Sequence, residues 1–214
     1  MPVGDWFVDD VRVVEGTLDE NAKVVTIVPE LEGSAFADAT VRQVMDMTTA
    51  LDYSEDYADP KADIWAYSAA ASPLPKPKGY EGPNGYFEYL QTVQQHGAHG
   101  EAFGYRTINT DALGWIVSRV TSKNLADLLS ERIWSRIGAE QDAYMTVDSK
   151  GTPFAGGGLS AGLRDLGRIG RTGRHRRFVH RGSGRFRRWR FRHHHRVRGT
   201  GACRRGRTFP RHRH

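Results

Sequence analysis

The chain has 214 residues, with 31 Lys and Arg against 25 Asp and Glu, for a formal net charge of +6. That length suffices for one ordinary domain with a real core, and no apolar run approaches the roughly 20 residues a bilayer-crossing helix needs. The charge averages two unlike parts, since residues 1–170 carry 14 basic and 25 acidic side chains whereas residues 171–214 carry 17 Arg and no acid; a protein that grips nucleic acid over its whole surface is excluded.

Near the start, Val8, Val11, Val13 and Val14 suggest one face of a short helix, punctuated by Gly16 and Asp19. Val41, Val44, Met45, Met47 and Leu51 recur at helical spacing behind Asp38 or Thr40 as N-cap. Residues 52–83 hold five of the nine prolines and read as a long irregular segment. Tyr86, Phe87, Leu90 and Val93 predict another short helix. The strongest helical block runs from Asn109 or Thr110 to about Val120, on Leu113, Trp115, Ile116 and Val120. A second spans Asn124, as N-cap, to Ile137, with Gly138 where a helix stop belongs. Ala143–Val147 reads as a strand, Gly156-Gly157-Gly158 as a turn, and Ser160 as the cap of a last helix through Leu163, Leu166 and Ile169.

From Arg171 the composition changes. The last 44 residues hold 17 Arg and 7 His, with no Leu, Ile, Lys, Asp or Glu, and nothing with a period that builds a core. The single cysteine, Cys203, lies here, which excludes an intrachain disulfide and a cysteine-based zinc site. Asp5, Asp9 and Asp10 interrupt the only apolar stretch after Met1, so no export leader is visible and a cytoplasmic location is expected.

Three stretches carry a resemblance: Val28-Pro-Glu-Leu31 with Ala39 to Met47, then Tyr105-Arg-Thr-Ile-Asn-Thr-Asp-Ala-Leu-Gly114, then Gly156-Gly-Gly-Leu-Ser-Ala-Gly-Leu-Arg-Asp-Leu166. In order and spacing they resemble the penicillin-recognising serine hydrolases of β-lactamase and penicillin-binding-protein type. Leu51-Asp-Tyr-Ser-Glu-Asp-Tyr-Ala-Asp-Pro60 is similar to the branch of 6-aminohexanoate-dimer hydrolases. The resemblance covers roughly residues 15–170.

It implies an α/β fold, with an antiparallel sheet flanked by helices and a mostly helical region forming the other cleft wall. It also implies cleavage of amides or esters through an acyl-enzyme, with no cofactor and no metal. In that chemistry the Ser of S-x-x-K attacks an acyl carbon after the Lys one helical turn away takes its proton. A tyrosine from a second motif passes the proton on, and backbone N–H groups hold the oxyanion. By resemblance Tyr105 is that catalytic tyrosine. A phenol in water gives up its proton only near pH ~10, so the role requires a nearby Lys ammonium. The commoner Y-x-N spacing puts Asn where Thr107 stands, and the nearest Asn is Asn109, which becomes a candidate for substrate binding. Tyr57 matches a tyrosine that lines the cleft in the amide-hydrolysing branch, and Trp65 and Tyr67 are candidates to shape the same cleft. A plain loop aromatic is the alternative for Tyr57 and for Tyr105.

The nucleophile motif is not found. Three residues before the six lysines stand Glu20, Ala58, Pro73, Pro75, Val120 and Val147. The resemblance therefore places the serine at or before Met1 and the third motif beyond residue 170. The expected organisation is a partial hydrolase domain over 1–170, chiefly its helical region with the sheet largely missing, and a basic tail over 171–214 that is disordered or out of frame. The expected partner is a small amide or ester, and the polypeptide is expected to be inactive. The alternative function is nucleic-acid binding through the tail, whose arginines attract polyanions in a salt-dependent way. Gly158-Leu-Ser160-Ala-Gly162 fits the G-x-S-x-G nucleophile elbow, but no buried strand precedes it, so Ser160 is read as a helix cap.

Overall fold

The computed structural model describes residues 18–172. The Val8–Val14 helix and, beyond its first two residues, the Arg/His-rich segment lie outside the described residues. The order is α1 (Val24–Ile27), a 3-10 turn (Pro29–Leu31), α2 (Val41–Met45), β1 (Leu51–Asp52), α3 (Asp63–Ala71), α4 (Tyr86–Leu90), β2 (Gln94–Gln95), α5 (Thr107–Thr121), α6 (Leu125–Leu129), β3 (Tyr144–Met145), β4 (Leu159–Ser160) and α7 (Leu163–Thr172). Among the described residues the sheet consists of two antiparallel two-stranded ladders, pairing Leu51 with Gln95 and Tyr144 with Ser160. The helical region therefore dominates, as the resemblance implies.

Helix α5 is the axis. Its sequence is apolar on nearly every face beyond the first turn, and Thr107 to Val117 are all buried. It packs against α1, α2, α4 and α6. Ile108, Leu113 and Ile116 are fully enclosed, and each such side chain contributes roughly 1.5–3 kcal/mol by leaving water. Asn109, Thr110 and Asp111 are buried on the same helix and must find polar partners.

The local rules explain most element ends. Thr40 caps α2 through a capping box, accepting from Gln43 N at 3.2 Å while Gln43 Oε1 accepts from Thr40 N at 2.9 Å. Asn124 caps α6, its Oδ1 accepting from Ala126 N at 2.9 Å. Gly138 ends the following turn at φ +67, a conformation open to glycine.

Three expectations are corrected. The segment 52–83 contains α3, a helix of nine residues. Its buried face is Ile64, Tyr67, Ala70 and Ala71, so small alanines hide the apolar stripe. Pro73 stops it by forcing Ser72 into an extended conformation (φ −53, ψ 128). The Lys76 ammonium then donates to the carbonyls of Ala69, Ala70 and Ser72 at 2.5, 2.8 and 3.1 Å, satisfying the helix C-terminus.

The helix expected over 124–137 is α-helical only to Leu129 and passes into a π turn over Ser130–Trp134, where Ser135 N donates to Ser130 O at 3.0 Å. Continued α geometry after Leu125 and Leu128 would carry Arg132 and Arg136 toward the core. The extra residue per turn brings Ile133 and Trp134 there instead, both buried. Ser160 does not cap a helix. It lies exposed in β4, and α7 starts at Leu163, with the Gly162 carbonyl accepting from Leu166 N at 3.0 Å. A strand position is equally unlike the sharp strand-to-helix turn a nucleophile elbow requires.

Candidate active site

Ahead of α5, β1 and the chain leading to α3 enclose an open cleft of about 600 Å3. Its lining includes Tyr53, Glu55, Tyr57, His96, Tyr105 and Arg106. Two of the three residues selected from sequence, Tyr57 and Tyr105, thus share one cleft, although they are 48 positions apart in the chain. Both are open to a ligand, at 63% and 49% exposure.

Tyr57 stands on a tight turn that Asp56 organises, its Oδ1 accepting from Ala58 N at 2.9 Å and its carbonyl from Asp59 N at 3.1 Å. Trp65, on α3, buttresses it edge-on at 5.9 Å between ring centroids, and its indole N–H donates to Asp59 O at 2.9 Å. The Tyr57 phenol is held above its ordinary range, first by partial desolvation and then by the Glu55 carboxylate.

Tyr105 precedes Arg106, the N-cap of α5. Gly104 N donates to Met47 O at 2.9 Å, and Arg106 Nη1 donates to Tyr105 O at 2.8 Å. Arg106 Nε donates to Tyr53 O at 2.7 Å, so one guanidinium ties both walls together. The residues lining the cleft include Arg106 and no lysine, so the lysine ammonium expected beside the Tyr105 phenol is not among them. Glu55 completes the junction: Oε2 accepts from Thr107 N at 2.7 Å, and Oε1 accepts from the Thr107 hydroxyl.

Asn109 is not brought to the cleft. It is fully buried in the first turns of α5, where its Oδ1 accepts from Thr49 Oγ1 at 2.7 Å and its Nδ2 has no partner among the described residues. The helix starts at Thr107, so Asn109 faces the segment between α2 and β1 rather than open space. Tyr67 is likewise withdrawn from the cleft. It is buried in an aromatic cluster with Tyr53, Tyr86 and Tyr89, and donates to Asp111 Oδ2 at 2.5 Å. Of the two aromatics expected to shape the cleft, Trp65 does so through Tyr57 and Tyr67 does not.

Asp111 holds the Gly156 turn against α5. Its Oδ1 accepts from Ala155 N at 2.8 Å and Gly156 N at 3.2 Å. Burial pushes its carboxyl up to about 7, against the opposing effect of these bonds and of Tyr67. A Cβ at Gly156 would lie 2.4 Å from Thr107 Cγ2, so only glycine fits between the turn and the N-terminus of α5.

A second cavity, of about 140 Å3, lies among α5, α6, β3 and β4, lined by Leu113, Val117, Leu125, Leu129, Met145 and Phe154. Thr110 is its one polar side chain, so it offers nothing to polarise or attack a carbonyl; the open cleft is the candidate site. Among the described residues no group of three His, Cys, Asp or Glu side chains is placed to hold a metal ion.

A family model described as Beta-lactamase matches residues 11–213. This chain belongs to the beta-lactamase family. The match extends past residue 170, further than the resemblance read from the sequence motifs. The chain is 41% identical over 157 residues to a 6-aminohexanoate-dimer hydrolase of Paenarthrobacter ureafaciens, covering 73% of this chain and 39% of that protein. A Bacillus anthracis structure provisionally assigned as a 6-aminohexanoate-dimer hydrolase superposes with a TM-score of 0.69 at 33% identity, over 78% of this chain and 45% of that one. A Bacteroides dorei structure provisionally assigned as a β-lactamase shares the fold, with a TM-score of 0.55 at 20% identity over 79% and 47%. This beta-lactamase-family chain thus spans less than half the length of the relatives it matches. Among its described residues no helix is long and apolar enough to cross a membrane.

The cleft residues Glu55 and Arg106, and the buried Thr107 that Glu55 holds, were not singled out as functional from sequence. Glu55 lies within the stretch similar to the amide-hydrolysing branch, and Thr107 stands at the motif's usual Asn position, but only the fold reveals that they meet.

Proposed function

We propose that residues 18–172 form the helical wall of a serine-hydrolase cleft for amide or ester substrates, with Tyr105 as the proton-transfer residue and Tyr57 facing the substrate. The observation that carries this reading is the convergence of the two phenols on one open cleft. The likeness to 6-aminohexanoate-dimer hydrolases favours 6-aminohexanoate dimer or a similar amide as ligand. In the acyl-enzyme chemistry of the family, Tyr105 would pass the proton that the Lys takes from the attacking serine on to the leaving amine or alcohol. Arg106, bonded to the Tyr105 carbonyl, holds the backbone that carries this phenol.

The 214 residues contain no Ser three positions before a Lys. We infer that this polypeptide by itself forms no acyl-enzyme and binds without turnover. The test incubates the full chain with 6-aminohexanoate dimer, p-nitrophenyl acetate and nitrocefin, and follows product and covalent adduct by mass spectrometry. Neither product nor adduct is expected. The dimer should perturb the ring signals of Tyr57 and Tyr105 in a chain carrying 13Cζ-labelled tyrosine. Turnover that disappears in Tyr105→Phe would overturn the inactivity; no response of either ring to any amide would overturn the cleft assignment.

A further inference from the structure

We propose that Glu55 is a positioning residue of the cleft: with Arg106 it forms a buckle that sets the spacing between Tyr57 and Tyr105. The inference rests on the cleft reading above for its functional meaning, but not for its geometry.

The N-terminus of α5 exposes backbone N–H groups that need acceptors, and its N-cap residue is Arg106, a side chain with donors only. The missing acceptor comes from 52 residues away. Glu55 takes the Thr107 N–H on one oxygen and the Thr107 hydroxyl on the other, a two-point attachment that fixes orientation as well as distance. A carboxylate at this place also meets the positive end of the helix dipole.

The two phenols sit symmetrically about this joint. Tyr57 is two residues beyond Glu55, and Tyr105 is two residues before Thr107. Glu55 Oε1 lies 3.5 Å from the Tyr57 hydroxyl, close enough for its charge to act on that phenol. Arg106 closes the other half, donating to Tyr53 O at 2.7 Å and to Tyr105 O at 2.8 Å. Each chain segment is therefore gripped at two points, and the distance between the tyrosines follows from the joint rather than from a direct contact between them. Elsewhere the Glu55 loop is tied to its own side, with Ser54 N donating to Asp63 Oδ2 at 2.8 Å, so cutting the buckle frees one wall relative to the other.

The experiment uses the full chain with 13Cζ-labelled tyrosine, and 6-aminohexanoate dimer as the probe. Glu55→Ala should move the signals of both Tyr57 and Tyr105 and weaken dimer binding at least tenfold. Glu55→Gln should restore both signals and binding to within twofold, because the amide oxygen accepts from Thr107 N while the amide nitrogen donates to Thr107 Oγ1. In the same variant Tyr57 should titrate at lower pH than in the wild type, since the neighbouring negative charge is gone. Asn124→Ala removes a cap of the same kind from α6 and serves as the stability control: it should lower the Tm without moving either signal or the binding. Should Glu55→Ala fail to fold, Thr107→Val deletes the hydroxyl donor to Glu55; because that hydroxyl also neighbours the Tyr57 phenol, the Tyr105 signal is the one read, and it should move in the same direction by less. The proposal is overturned if the rings stay in place when the joint is cut, if Asn124→Ala moves them equally, or if Gln does not rescue. Should the wild type not bind the dimer while the ring signals follow the series, the buckle stands and the cleft reading falls.

Discussion

Replacing Asp111 by Asn removes a buried charge while keeping the shape and most of the hydrogen bonds. The amide oxygen can still accept from Ala155 N and Gly156 N, and the amide nitrogen can donate to the Tyr67 hydroxyl oxygen. In the wild type, burial raises this carboxyl to about 7, whereas an unfolded aspartate titrates near ~3.9. Between those values the folded chain holds a proton that the unfolded chain has lost. The Asp111 contribution is therefore fully present below pH ~4 and is lost as pH rises through about 7. A separation of ~3 pH units corresponds to about 4 kcal/mol, a large share of a domain's total stability. Carboxylates such as Glu30 and Glu88, held low by backbone and side-chain hydrogen bonds, push overall stability the opposite way, so the raw pH profile does not isolate the effect. The difference between mutant and wild type does. Urea unfolding at pH 4.5, 6, 7.5 and 9 should show Asp111→Asn gaining on the wild type across this range and levelling off above it. A difference that is flat, or that falls with pH, would mean that Tyr67 and the two backbone N–H groups keep Asp111 ionised throughout, and the reasoning would be refuted.

Gly156→Ala should destabilise by about 1–3 kcal/mol, because its methyl group meets Thr107 at the start of α5 and neither backbone can yield freely; a urea midpoint unchanged from the wild type would contradict this. The same substitution should weaken the pH-dependent difference attributed to Asp111, since it disturbs the turn that the carboxyl grips. Thr40→Ala should cost about 1 kcal/mol through loss of the capping box on α2, with no change at either cleft tyrosine, read from denaturant unfolding and the ring signals together.

Short-range chemistry was legible along the chain. Thr40 and Asn124 act as caps, Gly138 ends its helix, and the apolar spacing of Leu113, Trp115 and Ile116 marks α5, because each of these depends on residues within one or two turns. The motif stretches also sufficed to select Tyr57 and Tyr105 and to indicate the family, to which the chain belongs. Sequence alone did not indicate the helix over Asp63–Ala71, whose buried face is half alanine and whose C-terminal cap comes from Lys76, set among the prolines. Nor could it foresee the π turn, which depends on which side chains the core accepts after Leu129. Asn109 is the clearest case: its type and spacing suit a ligand contact, but the start of α5 at Thr107 turns it inward to Thr49. The joint between Glu55 and Thr107, and the clamp of Asp111 on Gly156, unite residues 52 and 45 positions apart. Contacts of that range have no periodicity or spacing to read. They exist because packing around α5 brings its N-terminus, an acidic loop and a glycine turn to one place, where each buried or orphaned polar group must find its partner.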